Sequence, residues 1–117
     1  MQLNVRDINQ RASGASYVVI YDADIELDED HRIDVQVLAA VPPDADPVLI
    51  EAARLAILEG ASAVLIPLAQ GAVIRVQRLI VGPGDFHPKR FARSTAVELR
   101  RLLAHASQAS SVSVPGS

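Results

Sequence analysis

The stretch YVVIYDADIELD, residues 17–28, decides the predicted fold, because apolar and acidic side chains alternate along it. Successive side chains of a β-strand point to opposite faces, so the apolar residues share one face and the acids share the other. One buried face and one solvated face are typical of a strand in an antiparallel sheet. We therefore predict a half-buried antiparallel strand with an acidic outer face.

Residues 32–41 repeat this alternation. Paired residues of a hairpin lie on the same face of the sheet, which fixes the parity of the register. The simplest solution is a hairpin with the strand at residues 17–28, in which Leu27 pairs with Ile33. Two positions further along, Ile25 pairs with Val35. The side chains predicted to point inward are Ile33, Val35, Val37, Ala39 and Val41.

A first helix is predicted after the prolines that end this strand. Asp46 suits the N-cap, because its carboxylate can accept from the unpaired amides of the first turn, and Pro47 suits the first helical position. Gly60 is suited to end the helix. The apolar periodicity nevertheless runs past Gly60 to Pro67, so the end stays open between residues 59 and 66. The predicted buried stripe contains Ile50, Ala53, Ile57, Ala61, Val64 and Leu65.

Residues 72–81 are apolar and rich in valine and isoleucine, which predicts a further strand. Ile74 and Val76 share one face, whereas Leu79 has the opposite parity. A β-bulge inserts one extra residue and restores the alternation. We therefore predict a bulge at residues 77 and 78.

A second helix is predicted over residues 89–106, and residues 2–8 alternate as a short first strand. The element order β-β-β-α-β-α predicts an α+β fold, a two-layer α/β sandwich in which a four-stranded sheet carries two helices on one face. Residues 1–106 are expected to form a single domain. Residues 107–117 are rich in serine and are expected to be a disordered tail.

Composition excludes several kinds of site. Half of the 117 residues are apolar, which is enough for a packed core. The chain has no cysteine, so disulfides, thiolate metal sites and thiol catalysis are excluded. No stretch approaches the length of a membrane span, and the N-terminus lacks the pattern of a secretory signal. We expect a cytoplasmic protein that has no membrane partner and no cofactor.

The acids at residues 22–30 could suggest a calcium loop, but the required glycine at the sixth position and glutamate at the twelfth are absent. Alternation along a strand explains these acids without a metal. The histidines His31, His87 and His105 are not spaced as ligands on one helix. No metal site is therefore predicted.

His87 has charged neighbours in the sequence, namely Asp85, Lys89 and Arg90. Residues so close in sequence rarely form a catalytic triad, which is assembled by geometry across a fold. The preceding Gly-Pro-Gly at 82–84 lacks the spacing and the lysine of a phosphate-binding loop. We keep Asp85 and His87 as a candidate site and assign no catalytic residue.

Charge is distributed unevenly along the chain. The net charge is −3, but residues 1–46 carry −7 and residues 47–117 carry +4. Basic residues that gather on one side would form a footprint for RNA or another polyanion, whereas scattered ones would be an ordinary solvated surface. No aromatic residues available for base stacking are interleaved with these charges, because Phe91 belongs to the predicted buried stripe of the second helix. The candidate polyanion-binding residues are Arg75, Arg78, Lys89, Arg90 and Arg93.

Local motifs between Val41 and about Ala104 resemble the fourth domain of elongation factor G, which has the fold of the second domain of ribosomal protein S5. The shared pattern is a proline, a helix, a glycine, a proline, a strand and a glycine–aromatic–His sequence. It is carried by Val41-Pro42, Ile50-Glu51-Ala52-Ala53, Ala56-Ile57-Leu58-Glu59-Gly60, Pro67, Val73-Ile74-Arg75-Val76 and Gly84-Asp85-Phe86-His87.

The resemblance covers about half of the chain and implies a domain that contacts ribosomal RNA. Two features depart from the family. Pro88-Lys89-Arg90 replaces the family's acidic and serine-containing run, and the glycine-rich tip loop is reduced to Ser13-Gly14. The resemblance does not extend to the family's GTPase domain, so GTP hydrolysis is not implied.

Three functions remain open from the sequence. The first is a non-catalytic binding module that contacts RNA or a ribosome through a basic helix face. The second is a protein–protein or self-association module, in which the acidic strand face meets a basic helix face of a protein partner or a homo-oligomer. The third is a small enzyme of unknown substrate that uses His87.

Overall fold

A mixed five-stranded sheet carries two helices in the computed structural model, which describes residues 1–9, 17–82 and 86–113. The α+β sandwich is confirmed, and the predicted strand 32–41 is divided into two shorter strands. Buried side chains from both helices join those of the sheet in one core, so both helices lie on the same face. In order, the elements are β1 (Gln2–Asn9), β2 (Tyr17–Asp28), β3 (Ile33–Val37), β4 (Ala40–Val41), α1 (Pro47–Leu65), β5 (Gly71–Ile80) and α2 (Pro88–Ser113).

The predicted hairpin of β2 and β3 is wrong, because β5 lies between them in the order β1-β2-β5-β3. Leu27 and Ile33, which were expected to pair, both face Ala72 from opposite sides. The predicted parity is therefore correct although the pairing is not. β5 is rich in apolar residues, of which Ile74 and Val76 are fully buried. Its central position gives it a neighbour on both edges and shields it from water.

A β-bulge in β5 confirms the predicted irregularity. Asp22 pairs with Arg78 and Ala23 pairs with Val76, so that Gln77 is the extra residue. The bulge changes the parity of β5 between its two halves. Val76 and Leu79 consequently both face the core.

The break between β3 and β4 lies beside this bulge and corrects a second prediction. Ala39 and Val41 were expected to point inward. Instead Ala40 pairs with Leu79 and packs against the core, while Val41 pairs with Ile80 and is 38% exposed. The parity changes because the chain has to follow the bulged neighbouring strand.

Helix α1 begins as predicted, with the Asp46 carboxylate accepting from the amide of Val48 at 2.9 Å. It continues through Gly60 and ends at Leu65. Gly60 is therefore not a helix stop. A side chain at this position would overlap the backbone of Ala92 on α2, so the glycine allows the two helices to approach each other closely.

Helix α2 begins at Pro88 and extends to Ser113, beyond the predicted end at 106. Residues 107–113, predicted as the start of a disordered tail, have a helical backbone. The chain contains no glycine or proline between Pro88 and Pro115, so nothing interrupts the helix there. Residues 83–85, which follow Gly82, and the end of the predicted tail at 114–117 lie outside the described residues.

Candidate basic surface and polar cleft

The five candidate polyanion-binding residues lie on two different layers of the molecule. Arg75 and Arg78 are on the face of β5 that is directed away from the helices. Lys89, Arg90 and Arg93 are in the first turns of α2, on the other layer. The structure therefore does not gather them into one surface.

The Arg75 guanidinium on the open sheet face is neutralised by acids of β2. Its Nη1 atom lies 3.2 Å from Glu26 Oε2 and 4.0 Å from Asp24 Oδ2. These are neighbours across the β2–β5 pairing, where opposite charges attract. Arg75 is therefore part of a mixed-charge sheet surface that carries more acids than bases.

The outward side of α2 carries a basic stripe, which we define as Lys89, Arg93 and Arg100. All three are exposed. Their spacings of four and seven residues bring them to the same side of an α-helix. Phe91 faces the opposite direction and is fully buried. The apolar residues of α2 thus fix the direction in which its basic residues point.

Arg90 and Arg101 flank the basic stripe and have partners. The Arg90 guanidinium carbon lies 4.5 Å above the ring of Tyr17, which is a favourable cation–π distance. Arg101 Nη1 lies 3.2 Å from Glu98 Oε1. Glu98 is the only acid in α2, and the first turn of the helix has none.

A polar cleft of about 320 Å³ lies between β1 and α2, beside the start of the helix. At its wall the hydroxyl of Ser94 donates to Asp7 at 2.9 Å. The Tyr17 hydroxyl donates to the other oxygen of Asp7 at 3.4 Å. Arg90 and Arg93 also line the cleft, so an anchored carboxylate lies among positive charges.

Sequence reasoning did not identify this cleft. A signal was present, because Asp7 has the same parity in β1 as Leu3 and Val5, which are buried. A carboxylate on the core-facing side of a strand needs hydrogen-bond donors. Those donors come from β2 and α2, far away in the sequence, and only the assembled fold shows them.

His87 is exposed, and its carbonyl oxygen accepts from the amides of Arg90 and Phe91 at 3.0 and 3.2 Å. Its main chain thus caps the start of α2. Asp85, the other half of the candidate site, lies outside the described residues. Catalysis by His87 remains a hypothesis.

No group of histidines and carboxylates suited to a metal ion is found among residues 1–9, 17–82 and 86–113. Within the same ranges, neither helix combines the length and the apolar character needed to cross a membrane. Comparison with models of known protein families and with curated proteins finds no match.

Proposed function

We propose that this protein is a non-catalytic binding module that contacts RNA, or a ribosome-like polyanion, through the basic stripe of α2. The observation that carries the proposal is the shared outward direction of Lys89, Arg93 and Arg100. Residues 88–113 contain five basic residues and one acid. Phosphates are bound by such clusters because each cation replaces condensed counterions.

The dimensions of the stripe fit a nucleic-acid backbone. A helix rises about 1.5 Å per residue, so Lys89 and Arg100 are separated by roughly 17 Å along the axis. This length allows the three cations to meet successive phosphates of one strand. Because no described aromatic residue lies on this face, the recognition would use charge and shape rather than base identity.

The resemblance to the fourth domain of elongation factor G also supports this proposal. The observed order of elements differs from the β-β-β-α-β-α order of the resemblance by the division of the third strand into β3 and β4. The departure from the family at residues 88–90 adds Lys89 and Arg90 at the start of α2. Fold likeness alone does not determine function, so the charge of α2 is the main support.

The test is a binding titration of the protein with a structured RNA hairpin and with ribosomes at several salt concentrations. Contacts from the basic stripe to three phosphates would give a slope of log K against log salt of roughly −3. Absence of binding at low salt, or binding that does not depend on salt, would contradict the proposal.

A second candidate function is self-association. Asp22, Asp24 and Glu26 lie on the open sheet face, and the basic stripe lies on the opposite layer. One copy could thus place its α2 on the acidic sheet face of the next copy. Sedimentation at low and high salt tests this arrangement. A monomer at all protein concentrations would exclude it.

A further inference from the structure

The β1 strand forms an edge of the described sheet and has unpaired main-chain groups directed outward. Met1 and Ile25 exchange both of their main-chain hydrogen bonds, at 2.8 and 2.7 Å. In an antiparallel pair, alternate residues bond to the neighbouring strand and those between them point away from it. The amides and carbonyls that point to the free edge therefore belong to Gln2, Asn4, Arg6 and Ile8.

A groove runs beside this edge on the helix side. The polar cleft at Asp7 and Ser94 forms one end, with a volume of about 320 Å³. A second cleft of about 300 Å³, between Leu3 and Leu102, forms the other end. Glu98 lines both clefts, so they are consecutive parts of one groove between β1 and α2.

The groove carries a net positive charge, because four basic residues and two acids line it. Asp7 accepts hydrogen bonds from Ser94 and Tyr17, and Glu98 pairs with Arg101. Neither Arg90 nor Arg93 forms an ion pair with any residue that the structure describes. The basic residues that line the groove are Arg6, Arg90, Arg93 and Arg101.

We infer that the groove binds an extended acidic segment of a partner protein, which adds to β1 as an additional strand. The main chain of the segment would bond to the outward groups of Asn4 and Arg6. Its alternate side chains would enter the groove, with an acid beside Arg90 and Arg93 and an apolar side chain beside Leu102. Strand addition of this kind derives affinity from the main chain and specificity from alternate side chains.

Charge favours such a segment over a second copy of this chain. Two β1 strands paired around a two-fold axis would bring two α2 helices side by side. Each α2 helix carries five basic residues and one acid, so the two helices would repel each other. An acidic segment instead neutralises the groove. An RNA strand offers no alternating amides and carbonyls to match the edge.

The experiment selects partners from random peptides of about the length of β1, displayed on phage and presented to the full chain. We expect enrichment of peptides that carry an acid and an apolar residue at alternating positions, so that both face the groove. A synthetic peptide of the enriched sequence should slow hydrogen exchange at the outward amides of Asn4 and Arg6. Enrichment without acids, no enrichment, or protection at other amides would overturn the inference.

Two variants at one position separate the main chain from the side chain. Asn4→Pro removes one outward amide, which an edge strand tolerates, and should weaken binding of the enriched peptide by about tenfold or more. Asn4→Ala keeps the amide and should bind as the parent does. Equal affinities of the two folded variants would contradict strand addition. If Asn4→Pro does not fold, the exchange measurement on the parent decides.

The inference and the proposed RNA contact can fail independently. Asn4→Pro leaves Lys89, Arg93 and Arg100 unchanged, so its RNA affinity should equal that of the parent. A peptide-free dimer that protects the amides of Asn4 and Arg6 would assign the edge to a second copy and overturn the inference.

Discussion

The phenol oxygen of Tyr21 on β2 lies 2.5 Å from the hydroxyl oxygen of Thr95 on α2. Both side chains are buried, with exposures of 1% and 0%. Most of the surrounding core is aliphatic, so this pair is a directional polar contact within it. It fixes the position of α2 on the sheet, and therefore the direction of the basic stripe.

Removing the two hydroxyls of this pair should have unequal effects. Thr95→Val leaves the buried Tyr21 hydroxyl without its partner, which should lower the free energy of unfolding by about 1–3 kcal/mol. Tyr21→Phe should cost less, about 1 kcal/mol, because a helical threonine can also bond to a carbonyl of the preceding turn. Urea denaturation of both single variants and the double variant measures the coupling. Strictly additive effects would show that the two hydroxyls do not interact.

Tyr21 should also make stability depend on alkaline pH. Burial raises the pKa of Tyr21 above its ordinary value, and the hydrogen bond between Tyr21 and Thr95 only partly opposes this shift. Above about pH 10 the unfolded chain loses the phenol proton while the folded chain keeps it. The free energy of unfolding should therefore fall as pH rises, by up to about 1.4 kcal/mol per pH unit from this group. The Tyr21→Phe variant should lack this component, and Tyr17→Phe, which alters a partly exposed tyrosine, is the matched control.

Gly60 should not tolerate a side chain. Gly60→Ala would place a methyl group against the Ala92 carbonyl and force α1 away from α2. We expect a net loss of about 1–2 kcal/mol in stability, since the gain in helix propensity only partly offsets overpacking. Gly82→Ala is the control, because no described atom lies within 4 Å of its added methyl group. Equal denaturation midpoints for the two variants would contradict the close helix contact.

Two charge reversals on opposite layers test the basic stripe. Arg93→Glu and Arg78→Glu change the net charge by the same amount, and both residues are exposed. Arg93→Glu should reduce affinity for the RNA hairpin by about tenfold and flatten its salt dependence by about one unit of slope. Arg78→Glu should have a much smaller effect. The reverse order of effects would place RNA on the open sheet face.

Local sequence patterns predicted most of the helices and strands, but they did not predict which strands pair in the sheet. The period of two in residues 17–28 and the N-cap at Asp46 each depend on neighbouring residues. The bulge at Gln77 was also visible, because Leu79 changes parity within one strand. The position of β5 between β2 and β3 could not be predicted. Alternation determines which side chains face the core, and it is the same whether β2 and β3 pair directly or through an intervening strand.

The site was only partly predictable for the same reason. Helical spacing indicates that Arg93 lies on the opposite side of α2 from Phe91, two residues before it. It could not show that Arg75 lies on the other layer beside Glu26, because that depends on the sheet face. The bond between Asp7 and Ser94 joins residues at opposite ends of the chain, and no local pattern marks such a pair.

The bulge at Gln77 in β5 lies beside the break after Val37, which separates β3 from β4. Both β3 and β4 stay aligned with β5, because the break matches the extra residue of the bulge. A deletion of Gln77 alone would leave β2 aligned with β5 but would shift β4 out of step. Loss of one residue between β3 and β4 would likewise shift β4 relative to β5 and leave β2 aligned with β5. In descendants of this chain, we therefore expect length changes at these two positions to be inherited together, as a coupled pair of insertions or deletions.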